Sequence, residues 1–129
     1  MIVLDTHAWI WWLSAPERLS APAGDAISEA ASVGVSTLSV WELAMLVRRE
    51  RIQLDRDIRD WVGRALAEER VTAIPPSAEV ALAAASLDSR RFPGDPADRF
   101  IYATAQANTA VLVTRDTRLR EFDPAGTVW

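Results

Sequence analysis

Four carboxylates stand where their neighbours do not suit them. Asp5 is the only charged residue from Met1 to Pro16, and Glu42 the only one from Val33 to Val47. Asp98 opens the run Asp98-Arg99-Phe100-Ile101-Tyr102-Ala103, and Phe100 to Thr114 carries no charge. Asp116 ends Val113-Thr114-Arg115-Asp116. An ionised carboxylate among apolar groups costs several kcal/mol unless something pairs with it. Carboxylates brought together repel one another and take up protons, whereas a divalent ion reverses that penalty. The chemistry such a set can do is to hold a hard, oxygen-preferring cation such as Mg²⁺ or Mn²⁺ for work on phosphate esters.

The rest of the composition narrows the field. The chain of 129 residues has no cysteine, which excludes disulfides, zinc–thiolate sites and thiol chemistry. Its one histidine, His7, excludes a zinc site built on several imidazoles. All 14 bases are arginine, so mechanisms that need a lysine are excluded as well. A net charge of −4 is not that of a protein that coats nucleic acid by bulk attraction, although a local basic groove is compatible with it. No apolar run approaches the roughly 18–20 residues that span a bilayer. The opening MIVLDTHAWIWWL reads as strand then helix rather than as a signal peptide, so a cytoplasmic location is expected.

Each acid also has a plain structural reading. Ser39-Val-Trp-Glu42 fits a capping box, in which the glutamate only satisfies a helix N-terminus. Asp95-Pro-Ala-Asp98 fits a helix cap plus a first-turn acid. Asp5 and Asp116 suit capping of the elements that follow them. Four acids at four strand-to-helix junctions are harder to explain by capping alone.

The elements that must position these acids follow from periodicity. Ile2–Leu4, 33–36, 71–74 and 111–114 read as short strands, with 127–129 as an edge strand. Helices are expected over about 8–13, 20–32 (capped by Ser20), 39–50, 55–69 (capped by Asp55), 77–87 and 96–108, with Pro96 in the first turn of the last. Asp88–Asp95, with Pro93 and Gly94, reads as a loop. Strands alternating with helices predict an α/β fold with a mostly parallel sheet, over a single domain spanning residues 1–129. Such sheets bind ligands beyond the carboxyl ends of their strands, near the point where strand order reverses.

In the order and spacing of IVLDTHAWIWWL, VSTLSVWELAMLVRRERI, GDPADRFIYATA, LVTRD and the terminal VW, the chain resembles the PIN-domain nucleases, most of all the VapC toxins of toxin–antitoxin pairs. The resemblance implies a three-layer α/β/α sandwich with a parallel sheet ordered 3-2-1-4-5, which makes strands one and four neighbours. It implies that Asp5, Glu42, Asp98 and Asp116 form a catalytic Mg²⁺ or Mn²⁺ site; Asp95 also belongs to the D-P-x-D signature but reads as the helix cap. Thr6 and Thr114 match hydroxyl positions beside that site, suited to orienting metal-bound water. The implied activity is hydrolysis of RNA by metal-activated water, leaving a 5′-phosphate and a 3′-hydroxyl. The implied partners are an RNA substrate, a VapB-like antitoxin and a second copy of the chain, with no membrane. One departure is visible: many relatives carry a histidine shortly before the D-P-x-D run, where this chain has Arg90-Arg91-Phe92-Pro93.

Other residues carry weaker expectations. His7 reads as structural. Trp9, Trp12 and Leu13 recur at helical spacing and read as core, and Trp11 as exposed and available for a protein contact. Arg48, Arg49 and Arg51 complement a helix C-terminus. Arg90, Arg91 and Arg115, with Arg118 and Arg120, are candidates for RNA phosphates. Two other functions are compatible with this size and acidity: a catalytically silent PIN-like binding module, and a phosphate-receiver domain, against which the absence of lysine counts.

Overall fold

The computed structural model describes residues 1–92 and 94–129; within the expected loop 88–95, Pro93 lies outside the described residues. Among these residues five strands, β1 (Ile2–Leu4), β2 (Val33–Ser36), β3 (Val71–Ile74), β4 (Val111–Val113) and β5 (Thr127–Val128), form one sheet. Every pairing is parallel, and the order is β3-β2-β1-β4-β5. The registers Leu4↔Val35 and Leu4↔Val113 bring the ends of the three inner strands to one level.

Among the described residues seven α-helices connect the strands: α1 (Thr6–Ser14), α2 (Ala21–Glu29), α3 (Thr37–Arg48), α4 (Ile58–Leu66), α5 (Ala78–Ser86), α6 (Pro96–Ala107) and α7 (Thr117–Phe122). Alternation along the strands divides the core in two. On one face Leu4, Val33, Val35 and Val113 pack with Trp9, Ile27, Leu43 and Trp61 of α1 to α4. The Trp61 ring stands edge-on to Trp9 at 5.1 Å, a geometry worth roughly 0.5–1.5 kcal/mol beyond the area it buries. On the other face Val3 and Leu112 meet Ile101, Tyr102 and Ala105 of α6 and Leu119 of α7. Helix α5 reaches α6 through Val80, Ala84 and Ala103. The result is the expected three-layer sandwich. Gly34 lets that second face close: a Cβ there would lie 2.7 Å from Ile74 Cδ1 and 3.2 Å from Val3 Cγ2.

Several local expectations need correction. Helix α3 begins at Thr37 and is capped by Ser36, not Ser39, because β2 runs straight into it with no loop. Helix α4 is capped by Asp57; Asp55 instead holds Arg56 at 2.9 Å. Helix α2 stops at Glu29. The short 3₁₀ turn Pro16–Arg18 and helix α7 were not anticipated. Trp11 is buried, 7% exposed, and among the described residues Leu82 and Trp41 are the most exposed of the large apolar side chains, at 71% and 56%. Among the described residues, no helix is long and apolar enough to cross a membrane.

Candidate active site

The acids converge because of where their elements begin. Asp5 leaves the end of β1, its N–H donating to Val113 O at 3.0 Å as though the ladder continued. Its carboxylate is then held from two sides. Oδ1 accepts from Thr6 N at 2.8 Å, which caps α1, and Oδ2 accepts from the Thr114 hydroxyl at 2.7 Å, which comes from beyond the neighbouring strand. Starting α3 directly from β2 turns Glu42 toward the same point. Its Oε1 accepts from the Thr6 hydroxyl at 2.6 Å, beside Ser39, which is fully buried. Asp98 sits at the third position of α6 and exchanges hydrogen bonds with Asp95, each accepting from the other's backbone N–H at 3.0–3.1 Å.

Asp5, Glu42 and Asp98 thereby offer three carboxylate oxygens that all lie within 4.8 Å of one another. Among the described residues no cation pairs with any of the three; the ion pairs are Arg56–Asp55, Arg64–Asp60 and Arg118–Asp116. Burial raises the Asp5 and Glu42 carboxyls above the ordinary carboxylate range. Asp98 is pushed up to about 7, first by burial and then by the charges of Asp5 and Asp95. All-oxygen donors of like charge, uncompensated by the protein, fit a hard divalent cation.

Asp116 is near but apart. It lines the same cavity of ≈730 Å³ and its charge raises Asp5. Its own oxygens are taken, however: Oδ1 caps α7 through Arg118 N at 2.8 Å, and Oδ2 pairs with the Arg118 guanidinium at 3.0 Å. That pairing holds Asp116 below the ordinary carboxylate range. Thr6 and Thr114 turn their hydroxyl protons to carboxylates rather than to open space, so here they aim Glu42 and Asp5.

Of the arginines expected to meet RNA, Arg115 and Arg118 line the cavity, Arg118 paired with Asp116. Arg90 and Arg91 are exposed and outside its lining; the start of their loop is held from α6 by Arg99, which donates to Ser89 Oγ at 3.1 Å while also bonding Ala84 O and Leu87 O at the end of α5. Arg120 turns its Nε into the protein. His7 is exposed, its ring 5.5 Å from Trp11. Arg18 and Arg51 also line the cavity. Arg51 had read as a helix-end charge, and Arg18 follows a proline turn with no local signal to single it out.

The PIN-domain family model matches residues 2–124. The chain belongs to the PIN-domain family. This PIN domain is 45% identical, over 119 residues, to Ribonuclease VapC22 of Mycobacterium tuberculosis (strain ATCC 25618 / H37Rv), covering 92% of this chain and 89% of that relative. Its fold is similar to that of a toxin–antitoxin complex from Klebsiella pneumoniae, with a TM-score of 0.71 at 20% identity over 100% of this chain and 97% of that one. It is equally similar to VapBC2 from Rickettsia felis bound to a DNA fragment from their promoter, at 17% identity over 99% and 98% of the two chains. At those identities the structural likeness speaks for the PIN fold, and the sequence relative for the VapC branch within it.

Proposed function

We propose that this PIN domain, taken as residues 1–129, is a metal-dependent endoribonuclease acting in the cytoplasm as the toxin of a toxin–antitoxin pair. The observation that carries the reading is the meeting of Asp5, Glu42 and Asp98 oxygens within 4.8 Å with no protein cation to neutralise them. The ribonuclease name of its relative supports it.

Asp5, Glu42 and Asp98 would hold Mg²⁺ or Mn²⁺, with Asp116 lining the same cavity near Asp5. The chemistry a divalent ion supplies when bound is neutralisation of the phosphodiester and activation of a water for hydrolysis. The protein's part is to orient the oxygens. Thr114 and the Thr6 N–H fix both oxygens of Asp5, the Thr6 hydroxyl fixes Glu42, and the α6 cap fixes Asp98. These bonds keep the carboxylates aimed inward despite their repulsion, which is the preorganisation a hydrolytic site needs. Exposed Arg115 supplies positive charge at the rim for the RNA backbone. Partners in this reading are RNA, a VapB-like antitoxin and a second copy of the chain, for which exposed Trp41 is the natural anchor.

The test is cleavage of RNA by the purified protein with Mg²⁺ or Mn²⁺. Cleavage should stop with EDTA and in Asp5→Asn and Asp98→Asn variants that retain the parent's circular dichroism. Variants that cut as well as the parent would show the site to be wrongly assigned. A parent whose melting temperature ignores millimolar Mn²⁺ would favour a silent binding module instead.

A further inference from the structure

Four arginines share the cavity with the acids, and the protein neutralises only one of them there. Arg118 pairs with Asp116. Arg18, Arg51 and Arg115 are exposed, line the cavity, and form no ion pair among the described residues. Cations so near uncompensated carboxylates would be expected to close on them. Two of them lie against an aromatic ring instead. The Arg18 Cζ is 4.5 Å from the Trp11 ring centroid and the Arg115 Cζ is 5.5 Å from it.

The ring is a fixed platform. Trp11 is 7% exposed and packs against Trp129 at 5.8 Å and His7 at 5.5 Å. A guanidinium that stacks on indole uses its face and keeps its edge N–H groups for other partners. Those edges match the two oxygens of a phosphate. The two arms come from separate parts of the chain, Arg18 from the 3₁₀ turn after α1 and Arg115 from just beyond β4, so only the fold brings them onto one ring. A second cavity of ≈750 Å³ shares Trp11, Arg18, Arg51 and Ile52 with the first, so Arg18 and Arg51 stand where the two cavities meet, and Arg115 lines the acidic one.

We propose that Arg18 and Arg115, ordered on the Trp11 indole, form a phosphate clamp that seats an RNA strand across the acidic cluster, with Arg51 carrying the strand toward the adjoining cavity. Trp11 is a positioning residue that acts through the two arginines. The proposal rests on the ribonuclease reading and adds to it the side from which the substrate is held. Because the clamp meets phosphates, its contribution is independent of base sequence.

The decisive experiment compares Arg18→Gln and Arg115→Gln with Arg59→Gln, which removes an equally exposed charge outside both cavities. Binding of a fluorescein-labelled single-stranded RNA of mixed sequence is followed by anisotropy in an Asp98→Asn background. Each clamp substitution should weaken binding about tenfold and lower the slope of log affinity against log salt by about 0.7, as expected when one phosphate contact to a single strand is lost. With Asp98 restored, KM should rise by a similar factor and kcat should change less than about threefold. Trp11→Phe should behave as the parent. Trp11→Leu should raise KM without adding to the loss in an Arg18→Gln/Arg115→Gln protein.

If Trp11→Leu fails to fold, the two arginine variants, altered at exposed positions, still decide the matter. RNA affinity and salt slope indistinguishable from those of Arg59→Gln would overturn the clamp. So would a loss of binding to polyglutamate with none to RNA, which would assign the arginines to an acidic protein partner. Failure of the ribonuclease reading would look different: no Mg²⁺- or Mn²⁺-dependent cleavage by the parent, whatever the arginines bind.

Discussion

Thr6 donates its hydroxyl to Glu42 Oε1 at 2.6 Å, joining positions 36 residues apart in the chain: Thr6 opens α1, and Glu42 stands in the middle of α3. Burial raises the Glu42 carboxyl, and this bond is the influence that most opposes the rise. Thr6 itself is 1% exposed, so no water can replace it. Thr6→Val keeps the volume and removes the donor. The fold should survive, and Mn²⁺ affinity measured by calorimetry should fall about tenfold, the usual scale for losing a group that orients a metal ligand. Thr6→Ser should restore most of it. Equal affinity in the valine and serine variants would mean that Glu42 needs no such support.

Asp98 and Asp116 should respond differently to the same change. Asp98→Asn removes a like charge from the cluster, yet the amide oxygen can still accept from Asp95 N and preserve the cap. Without metal this variant should melt a few degrees above the parent, on the order of 1 kcal/mol, while losing Mn²⁺ binding and cleavage. Asp116→Asn breaks the pair with Arg118 and should gain no stability in the metal-free state. Thermal melts in EDTA, run beside activity assays, separate the two. A destabilised Asp98→Asn would mean that its charge is compensated in solution.

Much of this arrangement can be read from the residues, and what cannot has physical reasons. Asp5 and Asp116 follow apolar strands, so the rule for parallel sheets points to them directly. The capping and clustering readings hold together for Asp5 and Asp98: Asp5 caps α1 with Oδ1 while Oδ2 accepts from Thr114, and Asp98 gives only Oδ2 to the cap of α6. Glu42 is the exception. Its capping box depended on a helix starting at Ser39, and with Ser36 serving both as the last strand residue and as the cap, the motif shifts out of register. Trp11 looked exposed because the groups that cover it, Trp129 and Arg18, are distant or carry no local signal. Arg90 and Arg91 stand near Asp95 in sequence, but proximity along the chain does not say which way an exposed loop side chain faces, and neither lines the cavity.

Thr109 turns the chain from α6 into β4 with φ at 50°, a left-handed conformation that a β-branched side chain adopts at a cost. The residue is exposed and outside the acid cavity. Thr109→Gly should therefore stabilise the protein by about 1 kcal/mol, net of the greater freedom glycine has when unfolded. Urea titration should show the midpoint rising with an unchanged slope, and cleavage should be unaffected. A lower midpoint would mean that the threonine side chain contributes more than its backbone costs.

The protons of the cluster link stability to pH in a direction opposite to that of most carboxylates. Asp5, Glu42 and Asp98 are all raised, chiefly by burial, with Asp98 at about 7 against a reference of 3.8. The folded protein thus retains protons that the unfolded chain has released, so it loses stability as pH rises through that interval. The contribution is fully present below the unfolded carboxylate range and is gone above the folded value for Asp98. Asp116, held low by Arg118, acts in the opposite sense, adding stability that disappears only as pH falls into the acid range. In EDTA the melting temperature should fall between about pH 5 and pH 8. A bound divalent ion must displace the same protons, so the rise produced by saturating Mn²⁺ should be larger at the higher pH. Differential scanning fluorimetry across that range measures both slopes. A melting temperature in EDTA that climbs with pH would mean that the three carboxylates are not forced together in solution.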